Sequence, residues 1–443
     1  MPPFRTQTLT FIRSFLPKDK TLLIFILAGL TGFGGSLAVV AFRTIFVGIQ
    51  HLFYAQAQGM VTLAEALPLW ERILLPVLGG VLAGTILHIG LPWAAHRGSE
   101  NYLEALTIGD GKLSVRQTLI KSLSSLCSIG SGASIGREGP MIQLAAMVGS
   151  SIGRFLELPQ SRLRLLVACG ATAGLTSAYN APIASLLFVS EIALGSLSRD
   201  TLAPLIIASV MASVTTHRFF GFKAVYEMPP LSVLTSASGT VYYMGLGLVC
   251  GLLSPVFRWV LDQVRQRFQK MALSRISSMA LGGLGVGLIS VWHPNVWGNG
   301  YSVVTEILHA SWTWQALLAI LAFKIFATSL SYGSGAVGGI FTPTLFVGAA
   351  LGALYAHGIL LLAPDFGPEA PSFTIIGMGA FLAAVTYAPL MSILMIFEMT
   401  LSYELILPLM LACVIGYYIA HKIRPDSIYK KPKSLPSTSP KAA

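Results

Sequence analysis

The chain has 443 residues, of which 54% are hydrophobic and only 11% charged, and its mean hydropathy is +0.72. A soluble domain carries about 25% charged residues, so there is too little polar surface here to wrap a globule of this size in water. Soluble enzymes, disordered scaffolds and nucleic-acid binders are excluded as first readings, and a polytopic helical membrane protein remains. The net charge of +11 fits, because Lys and Arg collect at the cytoplasmic ends of membrane spans.

Arg5, Arg13, Lys18 and Lys20 precede the first apolar run, and no small-residue cleavage site closes a short core, so that segment reads as retained. Apolar segments then follow at 22–46, 73–91, 119–129, 141–156, 165–178, 182–197, 202–216, 241–261, 279–292, 316–330, 343–363, 373–384, 390–399 and 405–419. Several fall short of the ~20 residues that a straight spanning helix needs. No charged residue occurs between Lys324 and Asp365, yet glycines break that stretch repeatedly. The pattern predicts tilted and broken helices packed inside a thick protein. Lys422, Arg424, Lys430, Lys431 and Lys433 follow the last apolar segment, so both termini are expected on the cytoplasmic side. Cys127, Cys169, Cys250 and Cys413 lie inside apolar stretches without disulfide or metal-ligand spacing and read as small core residues.

The chain also repeats itself. Leu78-Gly79-Gly80 with Gly84 matches Leu281-Gly282-Gly283 with Gly287, Lys121 matches Lys324, and Gly130-Ser131-Gly132-Ala133 with Gly136 and Pro140 matches Gly333-Ser334-Gly335-Ala336 with Gly339 and Pro343, all 203 residues apart. Ala181-Pro182, Ser185, Leu187 and Glu191 match Ala388-Pro389, Ser392, Leu394 and Glu398, 207 apart. Duplication divides the chain into a cytoplasmic segment 1–19, a first membrane repeat 20–220, a linker 221–236, a second repeat 237–423 and a tail 424–443. Loop 92–101 carries Arg97 while loop 293–303 has no Lys or Arg; conversely 258–275 is strongly basic while 51–71 is basic-poor and carries Glu65 and Glu71. The basic side has swapped, which predicts halves of inverted topology.

Inverted repeats of broken helices place their substrate site at the repeat interface, where Gly or Pro interrupts both halves. Here that points to 130–140 and 333–343. Each loop is Gly-rich, ends in Pro and leads into an apolar helix. Pro suits the first helical turn, where its missing N–H costs nothing. Each loop therefore delivers a helix N-terminus, with unpaired N–H groups and about half a positive charge, into the membrane interior. Two such ends form an anion site without a full cation, which suits release as well as binding. Glu138 lies in the middle of this apparatus. A carboxylate there occupies the place an anion wants and reads as a gate, or alternatively as a group merely satisfied by local N–H donors. Glu191 and Glu398 read as a structural pair, and Lys121 and Lys324 as paired side chains snorkelling at helix ends. Gly132-Ala133-Ser134-Ile135-Gly136 has the spacing of a hydrolase nucleophile elbow but lacks the preceding strand and an evident His partner.

Gly136-Arg137-Glu138-Gly139-Pro140 resembles the GREGP signature of the CLC chloride channels and proton-coupled chloride antiporters. Gly338-Gly339-Ile340-Phe341-Thr342-Pro343 is similar to the family's second-half GGIFxP motif, and Tyr429 resembles its pore tyrosine. The likeness runs from about residue 20 to 430 and is nearest the bacterial ClcB-like branch of voltage-gated chloride channels. It implies an all-α, CLC-type inverted repeat in the bacterial inner membrane and a homodimer with one pore per subunit. It implies no cofactor, with chloride as the permeant ligand. By motif match, Glu138 would be the gating glutamate, the backbone of Arg137, Glu138, Gly139, Ile340 and Phe341 would line the anion path, and the Tyr429 hydroxyl would donate to a central anion.

Two departures bear on mechanism. The family's inner-gate serine motif is replaced by Arg97-Gly98-Ser99-Glu100-Asn101-Tyr102, where Ser99 is the nearest hydroxyl, one residue off register from Glu104. The internal proton-transfer glutamate of many antiporters, which follows the residue matching Glu191, is replaced by Ile192. Isoleucine cannot relay protons. The leading expectation is a chloride channel, with proton-coupled exchange the alternative and an organic-anion carrier a remote one.

Overall fold

The computed structural model describes residues 19–53, 59–94, 99–195, 198–229, 237–362 and 370–429. Arg5, Arg13, Lys18, Arg97, Lys430, Lys431 and Lys433, on which the expected orientation of the termini and of the loops partly rests, lie outside them.

The described residues hold seventeen α-helices. The first half contains α1 (Lys20–Phe53), α2 (Met60–Ala66), α3 (Leu69–Trp93), α4 (Tyr102–Thr107), α5 (Val115–Gly130), α6 (Glu138–Phe155), α7 (Gln160–Tyr179), α8 (Pro182–Phe188), a π-helical turn Val189–Leu194, and α9 (Arg199–Phe220). The second contains α10 (Ala237–Lys270), α11 (Arg275–Trp292), α12 (Tyr301–His309), α13 (Trp314–Gly333), α14 (Phe341–Leu362), α15 (Ala370–Thr386), α16 (Pro389–Thr400) and α17 (Ile406–Ile423). Eight helices are long and apolar enough to cross a membrane. Others are short for local reasons. Pro182 and Pro389 sit in the first turns of α8 and α16, and Asn101 caps α4 by accepting the Glu104 N–H at 2.8 Å.

The sequence repeat acquires a physical meaning in the contacts between the halves, which are reciprocal. α3 crosses α11 with their backbones nearly touching. A Cβ added to Gly80 would lie 2.3 Å from Met279 O, and one added to Gly283 would lie 2.1 Å from Pro76 O. One turn on, Gly84 and Gly287 face Ile276 Cα and Ile73 Cα at 2.7 and 2.8 Å by the same measure. This is the small-xxx-small packing that lets membrane helices gain dispersion contact without a hydrophobic driving force. The paired glutamates do equivalent work. Glu398 accepts the N–H groups of Ile183 (2.9 Å) and Ala184 (2.7 Å) at the start of α8, and Glu191 accepts that of Met391 (2.9 Å) at the start of α16. Each half thus caps a short helix of the other, a favourable use of a carboxylate at an N-terminus.

These contacts set a stability test. Gly283→Ala forces the α3–α11 crossing apart and is expected to lower the thermal unfolding midpoint in detergent by several degrees, a cost of about 1–3 kcal/mol for overpacking. Gly48→Ala, where nothing lies within 4 Å of the new methyl, is expected to leave it unchanged or raise it.

Candidate functional site

The two glycine loops meet. Gly136 N–H donates to Gly339 O at 2.7 Å, and Gly339 N–H donates back to Gly136 O at 2.8 Å, an isolated antiparallel bridge between the halves. No side chain fits between them: a Cβ on Gly136 would lie 2.9 Å from Gly339 O, and one on Gly338 would lie 2.7 Å from Gly136 O. Immediately after the bridge the chain turns into α6 at Glu138 and into α14 at Phe341. The pair of hydrogen bonds therefore fixes two helix N-termini side by side, and the first-turn N–H groups of each lack an intrahelical acceptor.

These ends open on a cavity of about 630 Å³ lined by Glu138, Gly139, Gly338, Gly339, Ile340 and Phe341 from the two loops, by Tyr179 and Phe188, and by Asn101, Tyr102 and Tyr429. Tyr429 reaches it because the segment after α17 is pinned. Arg424 pairs with Asp262 at 2.5 Å, Ser427 Oγ donates to Thr386 O at 2.9 Å, and Tyr429 N–H donates to Ser427 Oγ at 3.2 Å. The Tyr429 ring stands edge-on to Phe188, centroids 5.6 Å apart. Cations line only the part of the wall formed by α10 and the segment after α17. Arg258 and Arg265 donate to the hydroxyls of Tyr387 (3.0 Å) and Tyr332 (3.1 Å), and Arg424 holds Asp262. They make a basic wall that draws anions in, while the helix ends themselves offer only partial charges.

Of the residues picked out in the sequence, Glu138, Gly139, Ile340, Phe341 and Tyr429 come together on this cavity. Arg137 caps α6, but its guanidinium lies over the Phe46 ring at 5.1 Å, and the residue is not among those lining the cavity. Ser99 does not join the set and has to be replaced as the inner-gate candidate. It is buried elsewhere, its N–H donates to Lys112 O at 3.0 Å, and its Oγ faces Gly109. The cap at Asn101 and the Tyr102 N–H, which donates to Gln143 Oε1 of α6 at 2.8 Å, instead bring Asn101 and Tyr102 to the wall. Ile192 lies in the π-helical turn, half-buried against the core.

Glu138 is 2% exposed. Its Oε1 accepts the Asn299 side-chain amide at 3.2 Å, and its Oε2 lies over Gly136 without a hydrogen bond. Asn299 belongs to the loop between α11 and α12, which is wedged against the first glycine loop: the fully buried Trp297 ring covers Gly132, whose φ of +110° and 2.7 Å clearance exclude any side chain. Lys324 holds that loop. It is fully buried, not snorkelling, and donates to Val296 O (3.0 Å) and Gly298 O (2.8 Å), with its ammonium over Phe346 at 5.3 Å. Lys121 does the matching task in the first half, donating to Glu100 O at 2.8 Å. Sequence reasoning missed Asn299. The available signal was an Asn shortly before the Tyr opening a short helix in both halves, Asn101-Tyr102 and Asn299-Gly300-Tyr301.

Two interlocked, inverted halves that aim helix N-termini at a shared cavity define an anion-handling membrane protein. The chain belongs to the voltage gated chloride channel family, whose sequence model matches residues 79–421. It is 52% identical over 409 residues to a ClcB-like chloride channel protein of Ralstonia nicotianae, covering 91% of this chain and 95% of that one. It is 39% identical over 414 residues to the voltage-gated ClC-type chloride channel ClcB of Salmonella dublin, covering 92% and 98%. Among solved structures it is similar to a slow cyanobacterial Cl⁻/H⁺ antiporter, with TM-score 0.80 and 25% identity over 92% of this chain and 96% of that one. With eight candidate spans and bacterial relatives of this length, it is a multi-pass protein of the bacterial inner membrane.

Lys324→Met keeps the packing but leaves two buried carbonyls unpaired, at about 1–3 kcal/mol each. The expected outcome is a lowered unfolding midpoint in detergent, whereas Lys324→Arg, which keeps a donor to both carbonyls, lowers it less.

Proposed function

We propose that the protein is a passive chloride pathway in which Glu138 is the gate. The reciprocal Gly136–Gly339 hydrogen bonds carry this reading, because they hold two helix ends where one small anion can be solvated by peptide dipoles from both. The N–H groups at Arg137, Glu138, Gly139, Ile340 and Phe341 supply the partial positive charge, and the Tyr429 hydroxyl faces the same cavity. A Lys or Arg at this point would bind chloride too tightly to pass it on. The carboxylate of Glu138 competes for the same ends, so it blocks while it stays and opens the path when it is displaced or protonated. The named chloride channels at 52% and 39% identity support chloride as the permeant ion. Ile192 supports passive conduction over exchange, since the position that relays protons in many antiporters is apolar here. The likeness to a Cl⁻/H⁺ antiporter supports the second reading, exchange with a proton path through other groups.

The proposal includes a homodimer with one pore per subunit. Apolar faces such as Ile206, Val210 and Val214 on α9, and Leu407, Met410 and Val414 on α17, are exposed in the single chain and are suited to a membrane-buried interface or to lipid.

Purified protein in liposomes tests the mechanism. The reversal potential is expected to follow the chloride gradient and to ignore an imposed pH gradient; chloride-driven proton uptake would replace the channel by the exchanger. Glu138→Gln is expected to raise flux at neutral pH and remove its pH response, and wild-type flux with wild-type pH response would dismiss Glu138 as the gate. Asn299→Leu withdraws the donor that holds the gate carboxylate. A hydrogen bond to a charged group is worth about 1.5–3 kcal/mol, so chloride flux near neutral pH is expected to rise by about tenfold.

A further inference from the structure

Two buried phenols beside the Asn299 loop have no part in gating as described so far. Tyr301 opens α12 two residues after Asn299, and its ring centroid lies 5.7 Å from that of Tyr226. Tyr226 belongs to the segment joining the halves and is fixed by its own N–H, which donates to Met399 O at 3.0 Å. Tyr226 is fully buried and its hydroxyl makes no hydrogen bond, while the Tyr301 hydroxyl is buried with only a weak pairing to Thr342, whose own hydroxyl also engages Tyr179 at 3.1 Å. Tyr301 directly follows the loop whose Asn299 amide holds Glu138 Oε1, so both phenols stand beside the gate's own donor. Glu138 Oε2 is itself buried and unpaired.

Buried hydroxyls without a good acceptor and a buried carboxylate oxygen without a donor are each costly, and native interiors rarely leave them so. A turn of the Glu138 side chain that pairs them satisfies all three. None of Tyr226, Tyr301 and Asn299 lines the inner cavity, so a carboxylate resting on the phenols vacates the helix ends without entering the path that leads to them.

We propose that the Tyr226 and Tyr301 hydroxyls are the landing site of the Glu138 carboxylate when an anion takes its place at the helix ends. The proposal rests on the gate reading and adds to it what stabilises the displaced state. Tyr226 and Tyr301 thereby act as positioning residues on the gate, opposite in sign to Asn299, which holds it in the position seen here.

The double variant Tyr226→Phe/Tyr301→Phe keeps both rings and removes both hydroxyls. In liposomes at about pH 7.5, chloride flux is expected to fall by about a hundredfold, since the displaced carboxylate loses two charge-assisted hydrogen bonds. At about pH 3, well below the ordinary range of a glutamate carboxylate, the loss should shrink toward nothing. In a Glu138→Gln background the same pair of substitutions is expected to change flux at neither pH. Wild-type flux in the double variant at both pH values would overturn the landing site. So would an undiminished loss in the Glu138→Gln background, which would assign the phenols to the permeating anion. If Glu138→Gln alone keeps the wild-type flux and pH response, the gate reading fails instead, and this proposal with it.

Discussion

Two hydrogen bonds between Gly136 and Gly339 are the constraint from which the rest follows. Inside a membrane an unwound backbone has no water to satisfy it, and each unpaired amide or carbonyl costs several kcal/mol. Both halves of this chain unwind at the same place, and each supplies what the other lacks. The bonded residues occupy equivalent positions in the duplicated sequence, so the contact is self-complementary, as across a two-fold axis. The same reciprocity holds at the glycine crossing of α3 with α11 and at the exchange of caps by Glu191 and Glu398. Three such contacts lock the halves together and leave little freedom for the helix ends at their centre.

That rigidity decides how charge is used. Peptide dipoles fixed by packing attract an anion without reorganising, and their partial charge keeps the attraction weak enough for release. Full charges are present nearby but are committed elsewhere. The Lys324 ammonium is directed at two carbonyls of the loop that carries Asn299. Arg137 lies over Phe46, and the arginines on the cavity wall are bonded to tyrosine hydroxyls or to Asp262. Their long-range field concentrates anions in the cavity, and none of them binds in the narrow junction.

Much of this was legible in the sequence because it is written in residue types with few alternatives. Glycine at Gly136 and Gly339, proline at Pro140 and Pro343, and a lone carboxylate at Glu138 each have a narrow physical meaning inside an apolar run. The duplication was legible for the same reason, since several of its anchors, among them Gly80, Gly84, Gly136 and Glu191 with their counterparts, touch across the halves. What escaped is what depends on side chains meeting across long separations. Asn299 is an ordinary polar residue until folding lays it against Glu138, 161 residues away. Lys324 looked like a snorkelling lysine because its position along a helix does not reveal that two loop carbonyls close over it. Ser99 was the nearest hydroxyl by motif, but its N–H is bonded to Lys112 O and it lies off the cavity that Asn101 and Tyr102 line. The inverted orientation was inferred from loop charge, and reciprocal contacts are a stronger ground for it than charge counts.

Duplication explains the scaffold but not the proposed gate, which depends on a difference between the two halves at one pair of equivalent positions. The residue equivalent to Glu138 in the second repeat is Phe341. Two carboxylates facing each other across the bridge would repel and would crowd the very ends an anion must reach. Phenylalanine there does something else: its ring packs on Tyr179 with centroids 4.9 Å apart and on Phe188 at 6.3 Å, which in turn meets Tyr429. One helix end is thus flanked by an aromatic wall and the other by a carboxylate with a single side-chain donor. Under the proposed mechanism an anion arriving from the cavity meets a shaped surface on one side and a displaceable competitor on the other. Symmetry supplies two equal electrostatic ends, and in that mechanism the Glu–Phe difference makes one of them a wall and the other a switch.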